Sequence, residues 1–220
     1  MKLSSDDLLM FFTDAHVRLA DRLRAVAPAF AAVEAPGAYP EDAARDRAAV
    51  AALAEAGLFE LVVPREGGAG PAIDLRAVCL AREMLGYVSP RADSIFVCQG
   101  LGTYTIGVAG SPALRAELPA FSRGDRIAAF ALTEPEAGSD VAAIATRATE
   151  TEAGYRLDGD KLFISNLGVA DHAMVVATVD PARGHAGLTA FWLPLDTAGA
   201  TVRPLTAIAA HPIGALELRG

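Results

Sequence analysis

The spacing of hydrophobic and polar positions changes once along this chain of 220 residues. Before Gly124 the apolar positions recur at helical spacing; after Arg126 they gather in short blocks that suit strands. Ser4-Ser5-Asp6-Asp7 reads as a helix start, with Ser4 and Asp7 at capping-box spacing. Leu8, Phe11, Phe12, Ala15, Leu19, Leu23 and Val26 then continue one apolar stripe, and Pro28 and the Pro36-Gly37 pair end it. Pro40-Glu41-Asp42 opens a second helix with Val50, Leu53 and Ala54 on its apolar face, and Gly57 stops it. The apolar run Leu58 to Val63 leads into Gly67-Gly68-Ala69-Gly70. That loop has neither dinucleotide-fingerprint nor Walker spacing and lacks a following Lys-Ser/Thr, so it reads as a connector. Asp74 caps a third helix carrying Leu75, Val78, Cys79 and Leu85, with Gly86 at its end. Residues 94–109 are mixed: Ile95, Val97, Leu101 and Ile106 are apolar, but Gly100, Gly102 and Gly107 each lower helix propensity by about 1 kcal/mol relative to Ala. Such glycines serve close packing against another element or the approach of a ligand. Ser111-Pro112 is a cap and first-turn pair for a fifth helix ending near Phe121.

The second period begins with Ile127 to Leu132. Ala143 to Thr149 follows, then Tyr155-Arg156-Leu157 and Lys161 to Ser165 flanking Asp158-Gly159, a two-residue hairpin signal. Ala173 to Val179 is almost continuously apolar and reads as a central strand. Leu188 to Leu193 carries the single tryptophan, Trp192, and Thr201 to Arg203 and Ala215 to Arg219 read as short edge strands. Strands joined by turns, without helices between them, imply an antiparallel barrel or sandwich. The expected fold class is α+β: an all-α helical domain over residues 1–124, then an antiparallel β domain over 125–220.

Composition narrows the functional classes. A hydrophobic content of 52% supports a folded core. A net charge of −8 disfavours nucleic acid or a membrane surface as a general partner. No basic region followed by an apolar run marks a secretion signal, and no apolar run is long enough to span a bilayer, which leaves the cytoplasm as the default. Cys79 and Cys98 read as buried thiols in a reducing compartment. His16, His172, His185 and His211 are scattered, the cysteines lack metal spacing, and no metal is expected.

The stretch from Phe130 to Asp140 carries the most candidate chemistry. A short apolar strand runs into a polar turn in which Pro135 stops strand pairing and Gly138 allows a turn. Ser139 and Asp140 suit a turn or an approaching anion. Backbone amides and the Thr133 and Ser139 hydroxyls are thus gathered in one span. By itself this is either an ordinary turn or a place to hold a polar ligand.

Leu132-Thr133-Glu134-Pro135 with Ala137-Gly138-Ser139-Asp140 resembles the first signature of the acyl-CoA dehydrogenase family. Gly159-Asp160-Lys161-Leu162-Phe163-Ile164-Ser165-Asn166 is similar to that family's second flavin-contacting strand. Gly57-Leu58-Phe59 and Val63-Pro64-Arg65-Glu66-Gly67-Gly68 resemble its segment between the second and third helices. The resemblance implies FAD as cofactor, an acyl-CoA or acyl-carrier-protein thioester as substrate, an electron-transfer partner, and α,β-dehydrogenation with hydride passing to the flavin. It implies Thr133 as a flavin contact, Phe130 and Leu132 where ring and acyl chain meet, and Ser139 against the CoA portion. Phe163 stands where many members carry tryptophan against the flavin, and Ser165 where a threonine often bonds the ring. Lys161 and Arg147 are candidate phosphate partners. Glu134 precedes a proline in a turn, where hydrogen bonding to backbone is an equal use for it, and it is not taken as the base. The family's base lies on a C-terminal helical bundle that also supplies oligomer contacts, so no catalytic residue is expected within these 220 residues. A truncated chain, a half-enzyme completed by a partner subunit, or part of a longer chain would each account for that. Rival readings are a monooxygenase of the same fold and a non-catalytic subunit that binds a partner.

Overall fold

A computed structural model describes residues 1–65, 73–152, 154–208 and 211–220. The Gly67–Gly70 connector and part of the Val63–Gly68 stretch lie outside the described residues. Six α-helices come first among those described: α1 (Asp14–Val33), α2 (Asp42–Glu55), α3 (Leu75–Val88), α4 (Pro90–Ala109), α5 (Pro112–Arg115) and α6 (Leu118–Arg123). Seven strands follow: β1 (Ala128–Ala131), β2 (Arg147–Thr151), β3 (Gly154–Ser165), β4 (His172–Thr178), β5 (Leu188–Pro194), β6 (Ala200–Pro204) and β7 (Ile213–Arg219). Helices and strands therefore segregate where the period changes.

The first helix differs from its expected bounds at both ends. Ser4–Asp6 and Leu9–Phe11 form two 3₁₀ turns, and α1 starts only after Thr13. There the Thr13 backbone N–H donates to His16 Nδ1 at 3.1 Å, and His16 Nε2–H reaches Asp74 at 2.9 Å, which ties α1 to the start of α3. Pro28 does not end α1. Its ring faces solvent, while Phe30 and Val33 beyond it continue the buried stripe of Leu23 and Ala27. Burial of that stripe outweighs the lost backbone bond. Gly57 stops α2 in the left-handed conformation, at φ 65°. Asp74 caps α3 by accepting from the Arg76 N–H. Gly86 lies inside α3, which runs on to Val88. Ser89 ends α3 and caps α4 by accepting from the Ala92 N–H. The expected fifth helix is broken into α5 and α6.

The Gly-rich helix α4 is the hub. A Cβ on Gly100 would lie 2.9 Å from Val62 Cβ, and one on Gly102 would lie 2.7 Å from Ala128 Cβ and 2.9 Å from the Ala129 carbonyl oxygen. Close packing thus accounts for both glycines, and Gly102 lets α4 rest directly on β1. Buried Gln99 stitches the contact: its amide nitrogen donates to Phe121 O and Arg126 O, and its oxygen accepts from Ala128 N at 2.7 Å. Buried Asn166 adds donations to Ile95 O and Ala128 O. At the other end of α4, buried Arg91 pairs with Glu34, Asp42 and Asp46, joining α1, α2 and α4. Burial pushes the Asp46 carboxyl up, against the pull of Arg91.

The sheet is mixed rather than purely antiparallel. Its order is β1-β4-β2-β3-β7-β6, with β5 on β4. β1 runs parallel to β4 from Ala128 opposite His172 to Ala131 opposite Val175, and β2 meets β4 in parallel at Arg147 and Thr178. The other pairings are antiparallel. The parallel pairings arise because the Leu132-to-Thr146 excursion carries the chain from β1 to β2 without a hairpin reversal. β4 is central, as its apolar run suggests. β7 is not an edge strand, since it lies between β3 and β6.

The Asp158-Gly159 hairpin does not form. β3 runs unbroken through it, and the reversal from β2 falls between Thr151 and Gly154. Gly159 serves a close approach instead, because a Cβ there would lie 2.4 Å from Thr146 Oγ1. Both cysteines are free thiols; Cys79 is exposed, not buried, and Cys98 is half-buried.

Candidate functional site

The polar turn after β1 is closed by two backbone bonds, Glu134 N–H to Ala137 O at 2.8 Å and Ala137 N–H to Glu134 O at 3.3 Å. Gly138 has no unusual backbone angle and open space around it, so the turn does not depend on a glycine there. Leu132 and Thr133 are half-buried, whereas Ser139 and Asp140 are exposed. The Asp140 carboxylate accepts from Ala142 N–H and opens a short 3₁₀ turn.

The second motif lies in β3 and is brought against the first. The Leu162 N–H donates to Thr133 O at 2.9 Å. It is free to do so because the β3–β7 ladder slips between Lys161 and Ile164. Within that bulge Phe163 takes φ 58°, a conformation that costs a bulky residue energy. Its ring points outward and is 64% exposed. Ser165 is half-buried and lies 3.4 Å from His211 Nε2. Burial pushes the Cys98 thiol up in pKa, with the Ser165 hydroxyl opposing. The Thr133 hydroxyl bonds none of the described residues. A free hydroxyl, an aromatic face presented at a conformational cost and a second hydroxyl thus occur on two segments held together by backbone.

Phe130 links this face to an apolar groove of about 490 Å³. Val62, Val78, Val97, Leu101 and Tyr104 line it with Phe130. Val97, Leu101, Tyr104 and Val108 recur at helical spacing on α4, opposite the buried Ile95, Gln99, Gly102 and Ile106. Leu101 and Tyr104 remain about half exposed, at 50% and 46%. The same spacing is visible in the sequence, where the intervening glycines masked it. Phe130, Leu132 and Thr133 therefore come from β1 and the residues just after it, Phe163 from the bulge and Ser165 from the paired end of β3, while among the described residues no hydrogen bond joins Ser139 to them.

Lys161 does not face solvent. It is 1% exposed and donates to Glu134 Oε1 at 2.7 Å and to Leu132 O at 3.0 Å. Glu134, also buried, accepts in addition from Ala145 N–H, Thr146 N–H and the Thr146 hydroxyl. Burial pushes the Glu134 carboxyl up, but Lys161, Thr146 and the backbone donors outweigh it and hold the group below the usual carboxylate value. Burial pulls the Lys161 ammonium down, and Glu134 opposes that. Both carboxylate oxygens are thus engaged by buried or part-buried donors, two of them backbone N–H groups. The pairing of the two motifs through Glu134 and Lys161 was not legible in the sequence. Its one trace is that the second motif carries one cation, Lys161, and the first carries acids, Glu134 among them.

Two family models cover nearly the whole chain. The model for the acyl-CoA dehydrogenase N-terminal domain matches residues 13–125, and that for the acyl-CoA dehydrogenase middle domain matches residues 129–220. A relative from Mycobacterium tuberculosis, the probable acyl-CoA dehydrogenase FadE25, is 35% identical over 180 residues, covering 81% of this chain and 44% of its own length. Cyclohex-1-ene-1-carbonyl-CoA dehydrogenase from Syntrophus aciditrophicus is 37% identical over 149 residues, covering 67% of this chain and 36% of its own. This chain thus spans less than half the length of those two relatives. Among solved structures, a glutaryl-coenzyme A dehydrogenase in complex with glutaryl-CoA superimposes with a TM-score of 0.82 at 28% identity, over 95% of this chain and 54% of that one.

Proposed function

Because this chain belongs to the acyl-CoA dehydrogenase family, we propose that it forms the flavin- and thioester-facing part of an FAD-dependent oxidoreductase that desaturates an acyl thioester. The observation that supports this reading is the bond from Leu162 N–H to Thr133 O, which ties the segment of Thr133, whose hydroxyl bonds none of the described residues, to the segment of the outward-held Phe163. FAD, when bound, supplies the two-electron acceptor. The residues present suit such a group: an isoalloxazine ring wants an apolar or aromatic face and hydrogen-bond donors at its polar edge. Phe163 offers the face, and Thr133 and Ser165 offer hydroxyls. A donor fixed by packing stabilises charge without reorganising, and it does so more strongly where water is excluded.

The acyl portion takes the groove beside Phe130, where Val97 and Leu101 exclude water from an apolar chain and Leu132 packs between chain and ring. The exposed Ser139 hydroxyl is left to hold the polar CoA portion. Lys161 has no part in phosphate binding, and exposed Arg147 is the cation left for that role. The α-proton is taken by a base that none of these residues supplies.

FAD titration of the wild-type chain and of Thr133→Val, followed by quenching of flavin fluorescence, tests the reading. One lost hydrogen bond of about 1 kcal/mol weakens flavin binding roughly fivefold. Equal affinity in the two proteins would remove Thr133 from the site.

A further inference from the structure

We infer that the buried Lys161–Glu134 pair is a positioning clamp that fixes the two flavin-facing segments relative to each other. The inference rests on the flavin reading above and deepens it. Neither residue touches the face itself. Lys161 lies one residue before Leu162 and two before Phe163, and its ammonium grips both sides of Thr133, at Leu132 O (3.0 Å) and at Glu134 Oε1 (2.7 Å). The backbone bond from Leu162 to Thr133 O passes between those two grips. Three contacts therefore join residues 132–134 to residues 161–162, although β1 and β3 are not neighbours in the sheet.

The remaining parts of the network serve the same end. Glu134 is anchored from behind by the N–H groups of Ala145 and Thr146 and by the Thr146 hydroxyl. The Thr146 carbonyl in turn accepts from Thr178 N–H at 2.8 Å, which pins the network to β4. Gly159 leaves the space that Thr146 fills. A buried ion pair is no strong source of net stability, because desolvation offsets the attraction. Its geometric consequence here is specific. β3 leaves the β7 ladder at Lys161, so within the bulge the clamp replaces sheet pairing as the constraint on Leu162 and Phe163. The clamp holds Phe163 at its left-handed angle and keeps the Thr133 hydroxyl at a set distance from the ring.

The test separates positioning from stability. Wild type, Lys161→Met, Glu134→Gln and the double variant are compared by thermal unfolding, by amide hydrogen exchange at Leu162 and by FAD titration. Each single variant leaves one buried partner unpaired and lowers the unfolding midpoint. The double variant removes both charges, keeps an amide oxygen at position 134 for the Thr146 N–H and hydroxyl, and recovers part of the midpoint. The clamp is still lost in it. Leu162 exchange stays faster than wild type by about tenfold, the equivalent of about 1.4 kcal/mol, and FAD binds more weakly by a similar factor. If Leu162 exchange and FAD affinity recover together with the midpoint, the pair is only structural and the inference is overturned. Unchanged Leu162 exchange in the single variants overturns it as well. If the wild-type chain takes no FAD, the flavin reading fails, and the clamp is then judged by Leu162 exchange alone.

Discussion

Gly102→Ala is expected to destabilise this protein, although alanine is the better helix former. Helix propensity alone favours the change by about 1 kcal/mol. The site opposes it. The new methyl would stand 2.7 Å from Ala128 Cβ, 2.9 Å from Ala129 O and 3.1 Å from the Ala128 carbonyl carbon. Carbon atoms settle at about 3.5–4.0 Å, so α4 must lift from β1 by something near 1 Å. Overpacking of that kind costs about 1–3 kcal/mol. The lift also stretches the three Gln99 bonds to Phe121, Arg126 and Ala128, of which the first and last are buried. Weakening even one of them adds about 1 kcal/mol. The balance is a net loss of about 2 kcal/mol. Gly86→Ala is the internal control: it lies in α3 with nothing within 4 Å of the added methyl, and it should gain up to about 1 kcal/mol. Urea unfolding of the three proteins measures both effects. The reasoning is refuted if Gly102→Ala proves as stable as wild type or more so while Gly86→Ala behaves as stated. Because Phe130 follows Ala129, the same shift should loosen the groove, and Gly102→Ala should weaken any acyl ligand as well.

Two further outcomes follow from single residues. Pro28→Ala should stabilise the chain: alanine is better in a helix interior by about 3 kcal/mol, and the greater freedom of the unfolded chain returns about 1 kcal/mol of that, so urea unfolding should report a gain of about 2 kcal/mol; no gain would mean that α1 relies on a kink there. Acid should weaken the start of α3, because the Arg76 side chain, helped by its N–H and by His16, holds the Asp74 carboxyl at about 2 against an ordinary 3.8. The unfolded chain therefore takes up this proton first, so the contribution is full above 3.8 and is lost as the pH falls towards 2. The unfolding midpoint of wild type should then fall more steeply across that window than that of Asp74→Asn, and parallel curves would contradict the assignment.

Local rules carried the sequence reading where a local interaction decides the outcome. Asp74 caps α3, Gly57 stops α2 and the apolar run before Val179 is a central strand because each depends on neighbours in the chain. The rules failed where tertiary contacts override them. Pro28 sits inside α1 because Phe30 and Val33 have a core to enter. Asp158-Gly159 has the composition of a turn, yet Gly159 is there to admit Thr146, which is remote in sequence. The mixed sheet was not legible because a long polar excursion, unlike a short turn, does not fix strand direction. The candidate face was legible in residue type, as Thr133, Phe163 and Ser165, but its geometry was not. The bulge that turns Phe163 outward and the Lys161–Glu134 contact that holds it exist only once the two motifs meet.

The central claim is that one face, built from residues 130–133 and 163–165, receives the flavin. Titrating isotope-labelled chain with FAD while following backbone amide signals by NMR tests it directly, even when binding is weak. The account requires the shifts to concentrate at Phe130, Leu132, Thr133, Phe163 and Ser165. Shifts gathered elsewhere on the molecule, or none at FAD concentrations approaching the millimolar range of weak complexes (about −4 kcal/mol), would contradict it.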